Sequence, residues 1–277
     1  PAENRAMVAS SDSILIERTN FYDGLPTTMI MEEAPTPKDT YLRVRGEYHN
    51  KGEIIDSAIP EIFGELEEEN PSRLDLAQWI VSDRNPLAAR VAVNRYWQML
   101  FGRGLVKTTE DFGTQGSVPS HPDLLDWLAV TFKKSGWDRR EILKLMVMSR
   151  TYRQSSVTRE GDLERDPENV FLARASRLKL PGDILRDKAL AASGLLVPVV
   201  GGESVKPYQP AGMWKEASNF TYKQDKGDKL YRRSLYTYWK RTLAPPTMAV
   251  LDTADREWCS VKPKRTNTPL QALALMH

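Results

Sequence analysis

Asn85-Pro-Leu-Ala-Ala-Arg-Val-Ala-Val-Asn-Arg-Tyr-Trp-Gln-Met-Leu-Phe-Gly-Arg-Gly104 is the stretch whose reading decides the fold. Asn85-Pro86 is a helix-start signal: a side chain able to cap, then proline at the first helical position, where an N–H has no intrahelical partner anyway. The run from Pro86 to Phe101 is apolar on most sides, which predicts a helix at the centre of a core. Arg90, Asn94 and Gln98 recur every four residues and share one stripe of it. Gly102 and Gly104 stop the helix.

Working outward, Ser72-x-x-Asp75 predicts an earlier helix, with Leu74, Leu76, Ala77, Ile80 and Val81 on its apolar face. A loop through Asp111-Phe-Gly113 leads to a third helix that opens at Ser120-His-Pro-Asp123 and carries Leu124, Leu125, Trp127, Leu128 and Phe132. Asp138-x-x-Glu141 reads as the capping box of a fourth, with Thr151–Gln154 hanging off its end. A further helix is expected over 181–193. These elements predict a central helical core over 71–193.

Both flanks read differently. Residues 1–70 look like an N-terminal β and loop segment, with short Ile-, Thr- and Val-rich runs at 13–17, 27–31 and 40–45. In the last run Leu42 and Val44 alternate with Tyr41, Arg43 and Arg45, as in a half-buried strand. The acidic run Glu65–Glu69 reads as a solvated linker. Over 194–277 a long Gly- and Pro-rich excursion precedes a predicted strand at Arg233–Tyr238. Thr268-Pro-Leu-Gln271 then opens a last helix. The expected fold is mainly α with a minor β-component (α+β): a central helical bundle with short strands from the N-terminal and C-terminal regions, as one domain.

Composition excludes more than it assigns. Hydrophobic residues at 40% and charged residues at 27% fit a globular chain, and 39 basic against 37 acidic residues give no nucleic-acid signature. No apolar run is long enough to span a bilayer. Pro1 reads as mid-loop and His277 as inside an unfinished helix, as expected of a domain cut from a longer protein. Cys259 has no partner cysteine in the chain, so it is expected to be a buried thiol, the alternatives being a nucleophile or a disulfide partner in a longer protein.

Several motifs carry a resemblance. They are the Asn85–Gly104 stretch, Asp111-Phe-Gly, Ser120-His-Pro-Asp-Leu-Leu-Asp-Trp-Leu-Ala129, Ser149-Arg-Thr-Tyr-Arg-Gln-Ser155 and Thr266-Asn-Thr-Pro-Leu-Gln-Ala-Leu-Ala274. Arg43-Val-Arg-Gly46 and Arg232-Arg-Ser-Leu-Tyr236 extend them to nearly the whole chain. Together they resemble a C-terminal domain of unknown function found in large proteins typical of planctomycetes. There it usually follows a planctomycete-type cytochrome c module and a second uncharacterised domain. The resemblance implies an exported, periplasmic or cell-envelope setting, often near polysaccharide-degrading functions, and a possible cytochrome c partner module in the same protein. Haem would belong to that module, since this chain has no Cys-x-x-Cys-His and no cofactor of its own is expected.

Candidate chemistry falls into two sets. His121 beside Asp123, with Asp111, could form a catalytic acid/base group. The simpler reading is that Ser120 caps a helix and His121 hydrogen-bonds across the turn. Arg95, Arg103, Arg153, Tyr152 and Trp214 form the candidate binding set. Guanidiniums grip sulfate and carboxylate in bidentate fashion, and Trp214 lies in the irregular excursion where an aromatic platform could face solvent. The competing reading pairs the arginines with Asp111, Asp123, Asp126 and Asp187. Trp97 and Trp127 fall in apolar helical patterns and read as core.

Other signatures fail. His49, His121 and His277 lack metal-ligand spacing, so no metal site is expected. Gly102-Arg-Gly104 is no dinucleotide loop, and Ser176-x-x-Lys179 matches a serine-lactamase element only at chance length. The leading expectation is an accessory ligand-binding module, possibly for an anionic polysaccharide. The alternatives are a glycan-acting enzyme using His121 and a docking scaffold for the cytochrome module.

Overall fold

The computed structural model describes the chain except residues 1, 35–37, 69, 218–220, 241–242, 255, 257–258, 263 and 277; for residues 2–6, 216 and 217 it describes the backbone alone. Of the positions singled out above, Pro1, Glu69 and His277 lie outside the described residues. The fold is mainly α with a minor β-component, as expected. The chain divides into two compact units, residues 1–84 and 85–277.

The first unit opens with helix α1, Ala2–Asp23, where the sequence suggested a strand at 13–17. Ile14 and Ile16 sit in a run without glycine or proline before Gly24, and the surrounding Ala, Glu, Arg and Leu favour helix. Residues 27–31 form no strand. Strand β1, Tyr41–Arg43, pairs antiparallel with β2, Lys51–Ile54, in the register Tyr41 to Ile54 and Arg43 to Lys51.

The phase of β1 is opposite to the expected one: Leu42 is exposed, while Tyr41 and Arg43 are half-buried. Cation–aromatic contacts explain this. Lys51 Nζ lies 4.5 Å from the Tyr41 ring centroid, and the Arg43 guanidinium lies 5.0 Å from that of Tyr48. Helix α2, Arg73–Val81, carries the predicted capping box, Ser72 with Asp75. Its buried side chain is Trp79, packed near Phe63 with centroids 5.9 Å apart. Leu74, Leu76, Ala77, Ile80 and Val81 are exposed, so the predicted apolar face is not the buried one.

The second unit is built on helix α3, Ala88–Phe101. Asn85 Oδ1 accepts from the amides of Leu87 and Ala88 at 2.9 and 3.0 Å, as an N-cap should, though the regular helix starts two residues later than expected. Ala89, Val93, Trp97 and Phe101 fall one helical turn apart and are all buried. Against them pack Leu125, Leu128 and Phe132 of α4, Pro122–Lys134, and Ile142 and Met146 of α5, Arg139–Met148. Each such side chain contributes about 1.5–3 kcal/mol by leaving water. The Trp97 and Phe101 rings stack with centroids 3.9 Å apart. Trp127, expected in the core, is 52% exposed, because at 3.6 residues per turn it lies over a third of a turn from the centre of the Leu125/Leu128/Phe132 stripe.

The loop leaving α3 is fastened to it. Gly102 ends the helix at φ 84, and a Cβ there would lie 2.2 Å from Leu178 Cδ2. A Cβ on Gly104 would meet the Val106 carbonyl oxygen at 2.5 Å and the Asn94 carboxamide at 2.8 Å. Only glycine permits that approach.

Four short helices and one longer one continue the chain: α6, Arg150–Arg153; α7, Asp162–Arg165; α8, Gly182–Ala192; α9, Met213–Ala217; and α10, Pro246–Val250. Helix α11, Pro269–Met276, starts with the expected reciprocal bonds between Thr268 and Gln271, both 3.3 Å. The strand expected at 233–238 is a single tight turn at 234–236, flanked by isolated bridges from Val197 to Arg232 and Val205 to Thr237. Side chains of α8 take the backbone groups a strand ladder would need. Asp187 Oδ1 accepts from Ser234 N at 2.7 Å, and Arg186 Nη1 donates to Arg232 O at 2.9 Å. Among the described residues, no helix is long and apolar enough to cross a membrane.

Candidate ligand-binding site

The irregular excursion of the second unit is pinned at its base. Val205 N donates to Tyr236 O at 2.8 Å and Tyr238 N to Val205 O at 2.7 Å, which sets Tyr238 beside Val205 and Lys206. Lys206 and Asp225 then exchange two bonds: Lys206 N to Asp225 Oδ2 at 2.7 Å and Asp225 N to Lys206 O at 2.9 Å. The Tyr222 hydroxyl donates to Pro207 O. The segment between these ties carries α9.

Trp214 is the centre of this loop. Its ring meets Tyr222 edge-on at 5.1 Å and Tyr238 at a tilt at 5.7 Å. Lys240 Nζ sits 4.9 Å from the Trp214 ring centroid and Lys206 Nζ 5.1 Å from that of Tyr238. Beside the cluster is a cavity of about 570 Å³, lined by Gln209, Met213, Trp214, Lys215, Thr221 and Tyr222 among others. That volume lies in the range of small-ligand sites. Among the described residues the buried Gln209 Nε2 atom has no hydrogen-bond partner, the kind of donor a ligand acceptor can satisfy. Burial, assisted by Asp225, pushes the Tyr222 hydroxyl up to about 12, so it stays neutral and donating at ordinary pH.

Of the sequence-predicted binding set, Trp214 alone lines this cavity. Arg95 and Arg153 are exposed on the helical part. Arg103 Nη1 lies 3.1 Å from Glu168 Oε2, and Lys107 Nζ shares that carboxylate at 2.8 Å. Tyr152, 39% exposed, meets Phe101 edge-on at 5.6 Å. Asp126 and Asp187, expected to pair with arginines, do so: Arg90 Nε lies 2.6 Å from Asp126 Oδ1, and Arg186 Nη1 lies 3.9 Å from Asp187 Oδ1. The Arg90 bond holds the Asp126 carboxyl below its usual range.

His121 is the residue that precedes α4, and its Nδ1 lies 3.0 Å from Ser120 Oγ. Ser120 does not cap the helix, as the sequence suggested; its hydroxyl donates to Leu105 O at 3.2 Å. Asp111 Oδ1 accepts from Gly113 N at 2.7 Å, closing a turn, and Asp123 is exposed in the first turn of α4. Among the described residues, no hydrogen bond or ion pair joins His121 to either carboxylate. Cys259, expected to be buried, is exposed. No group of three or more His, Cys, Asp or Glu able to hold a metal occurs among the described residues.

Sequence reasoning passed over two features. Gln209, Tyr222 and Lys240 were not singled out, although the density of aromatics and lysines at 222–240 was a usable signal. The second feature is a polar knot around Asp252. Its carboxylate accepts from Thr266 N at 2.8 Å, Gln271 Nε2 at 3.0 Å and Lys179 Nζ at 3.0 Å, while Lys179 also donates to Thr266 O and Gln271 Oε1. Lys179 was set aside as part of a chance motif.

A family model described as PSD1, protein of unknown function (DUF1553), matches residues 72–277. The chain belongs to this family. No curated protein and no solved structure matches it. The PSD1 span contains the α3–α4–α5 core, the Asp252 knot and the whole Trp214 cavity, while α1 and the β1–β2 hairpin precede it.

Proposed function

We propose that the PSD1 span is a ligand-binding module whose Trp214 cavity takes an anionic polysaccharide. The observation that carries this reading is the 570 Å³ cavity beside an aromatic cluster with lysines on it: Lys215 in the wall and Lys240 over Trp214. Aromatic edges and faces suit the apolar C–H surfaces of sugar rings, Gln209 and Thr221 offer partners for hydroxyls, and the ammonium groups suit carboxylate or sulfate. The motif resemblance supports two further parts of the proposal. The module works outside the cytoplasm, and the protein that carries it also holds a cytochrome c module.

The test is a glycan array and affinity electrophoresis with heparin, polygalacturonate and neutral dextran at low and high salt. Heparin or polygalacturonate is expected to retard the chain at low salt, with weaker retardation at high salt. Trp214→Ala is expected to remove the retardation while the melting temperature holds. Retention of the wild-type chain by no acidic glycan at either salt concentration overturns the reading.

A further inference from the structure

The Ser149–Ser155 motif takes no part in the Trp214 cavity. It borders a second opening of the same unit, about 360 Å³, floored by Leu100, Phe101, Leu178 and Leu180 and edged by Tyr152 and Lys188. Lys188 is the one charged residue in its lining. Among the described residues, its ammonium forms no ion pair, and the Tyr152 hydroxyl makes no hydrogen bond.

Three arginines stand next to the lining residues in sequence. Arg150 and Arg153 flank the lining residues Thr151 and Tyr152, and Arg177 lies between the lining residues Ser176 and Leu178. All three arginines are exposed, and none forms an ion pair among the described residues. The contrast with Arg90, Arg186 and Arg233, which have carboxylate neighbours in the same unit, is direct. An apolar floor edged by an ammonium and a hydroxyl is complementary to an anion with an apolar body.

We propose that this opening binds a small organic anion of the medium-chain carboxylate class. The hydrocarbon chain lies on Leu100, Phe101, Leu178 and Leu180, and the carboxylate takes the Lys188 ammonium and the Tyr152 hydroxyl. The site is separate from the Trp214 cavity and does not depend on the polysaccharide reading.

Isothermal titration calorimetry of the 277-residue chain with octanoate, octanamide and acetate at low salt tests this. Octanoate is expected to bind and acetate not to. Lys188→Gln, at an exposed position that leaves the fold intact, weakens octanoate about fivefold, as expected for an exposed ion pair, and leaves octanamide unchanged. Tyr152→Ala weakens octanoate as well, and Trp214→Ala leaves it unchanged. Absence of octanoate binding, indifference of octanoate to Lys188→Gln, or loss of binding in Trp214→Ala each overturns the proposal.

Discussion

The Asn94 carboxamide holds both backbone groups of Val106: Nδ2 donates to the Val106 oxygen at 3.1 Å, and Oδ1 accepts from the Val106 amide at 2.9 Å. Asn94 is wholly buried on α3, so this pair replaces water for a loop that has none within reach. Gln98, one turn on, reaches Thr109 at 3.3 Å, and Arg90, one turn back, reaches Asp126. The polar stripe of α3 is therefore a fastening for the loop and helix that follow it.

Asn94→Ala leaves the Val106 N–H and C=O buried and unpaired, at a cost of about 2–4 kcal/mol. Gly104→Ala drives a methyl into the Val106 carbonyl and costs about 1–3 kcal/mol. Urea denaturation of each variant measures both. A change in midpoint no larger than that of a surface substitution in either variant would mean that the loop relaxes freely.

Asp252 carries a pH dependence. Burial raises its carboxyl, but hydrogen bonds from Thr266, Lys179 and Gln271 outweigh this and hold it well below the ordinary carboxylate range. A folded-state pKa below the unfolded value of about 3.9 means that the stabilisation is complete above about pH 4. It is lost as the pH falls from there towards the folded-state value. Thermal melts from pH 6 down to pH 3 are expected to show this loss in the parent chain. Asp252→Asn starts about 3 kcal/mol less stable and shows a flatter decline.

The same knot ties α11 to the residues before α8, because Lys179 and Gln271 share Asp252. Lys179→Met is expected to expose the 253–277 segment to limited trypsin digestion well before the α3–α4 core is cut. Simultaneous loss of both regions would show that the knot opens only with global unfolding.

Tyr222 makes an optical prediction. With its hydroxyl pushed up to about 12, one tyrosine is expected to ionise late in an ultraviolet titration, and Tyr222→Phe removes that late step. The sign follows from the neutral form being favoured. The contribution to stability is whole below the ordinary tyrosine pKa of about 10 and falls as the pH rises towards 12.

His121→Ala is expected to shift stability by under about 1 kcal/mol, since among the described residues its ring bonds to the neighbouring Ser120 hydroxyl alone. It should also leave glycan retention untouched. Loss of a glycan-cleaving activity in this variant, measured by reducing-sugar release, would restore the acid/base reading of His121.

The sequence by itself determined the elements whose cause is local. Asn85, Ser72 and Thr268 cap helices where their side chains reach amides two or three residues on, and Gly102 ends α3 because only glycine takes its backbone angle without strain. The core face of α3 follows from the turn-by-turn spacing of Ala89, Val93, Trp97 and Phe101. What the tertiary structure decided depends on partners far along the chain. Whether Arg233–Tyr238 forms a strand was settled from some 45 residues away, where Asp187 takes the Ser234 amide and Arg186 takes the carbonyl of Arg232 just before the run. Lys179 gained its role from Asp252 and Gln271, 73 and 92 residues on. Trp127 could have faced either way until the Leu125/Leu128/Phe132 stripe of α4 packed against α3. The Trp214 cavity belongs to the same class: its walls come from stretches of low periodicity, brought together by the Lys206–Asp225 and Val205–Tyr238 bonds, and no local pattern encodes those pairings.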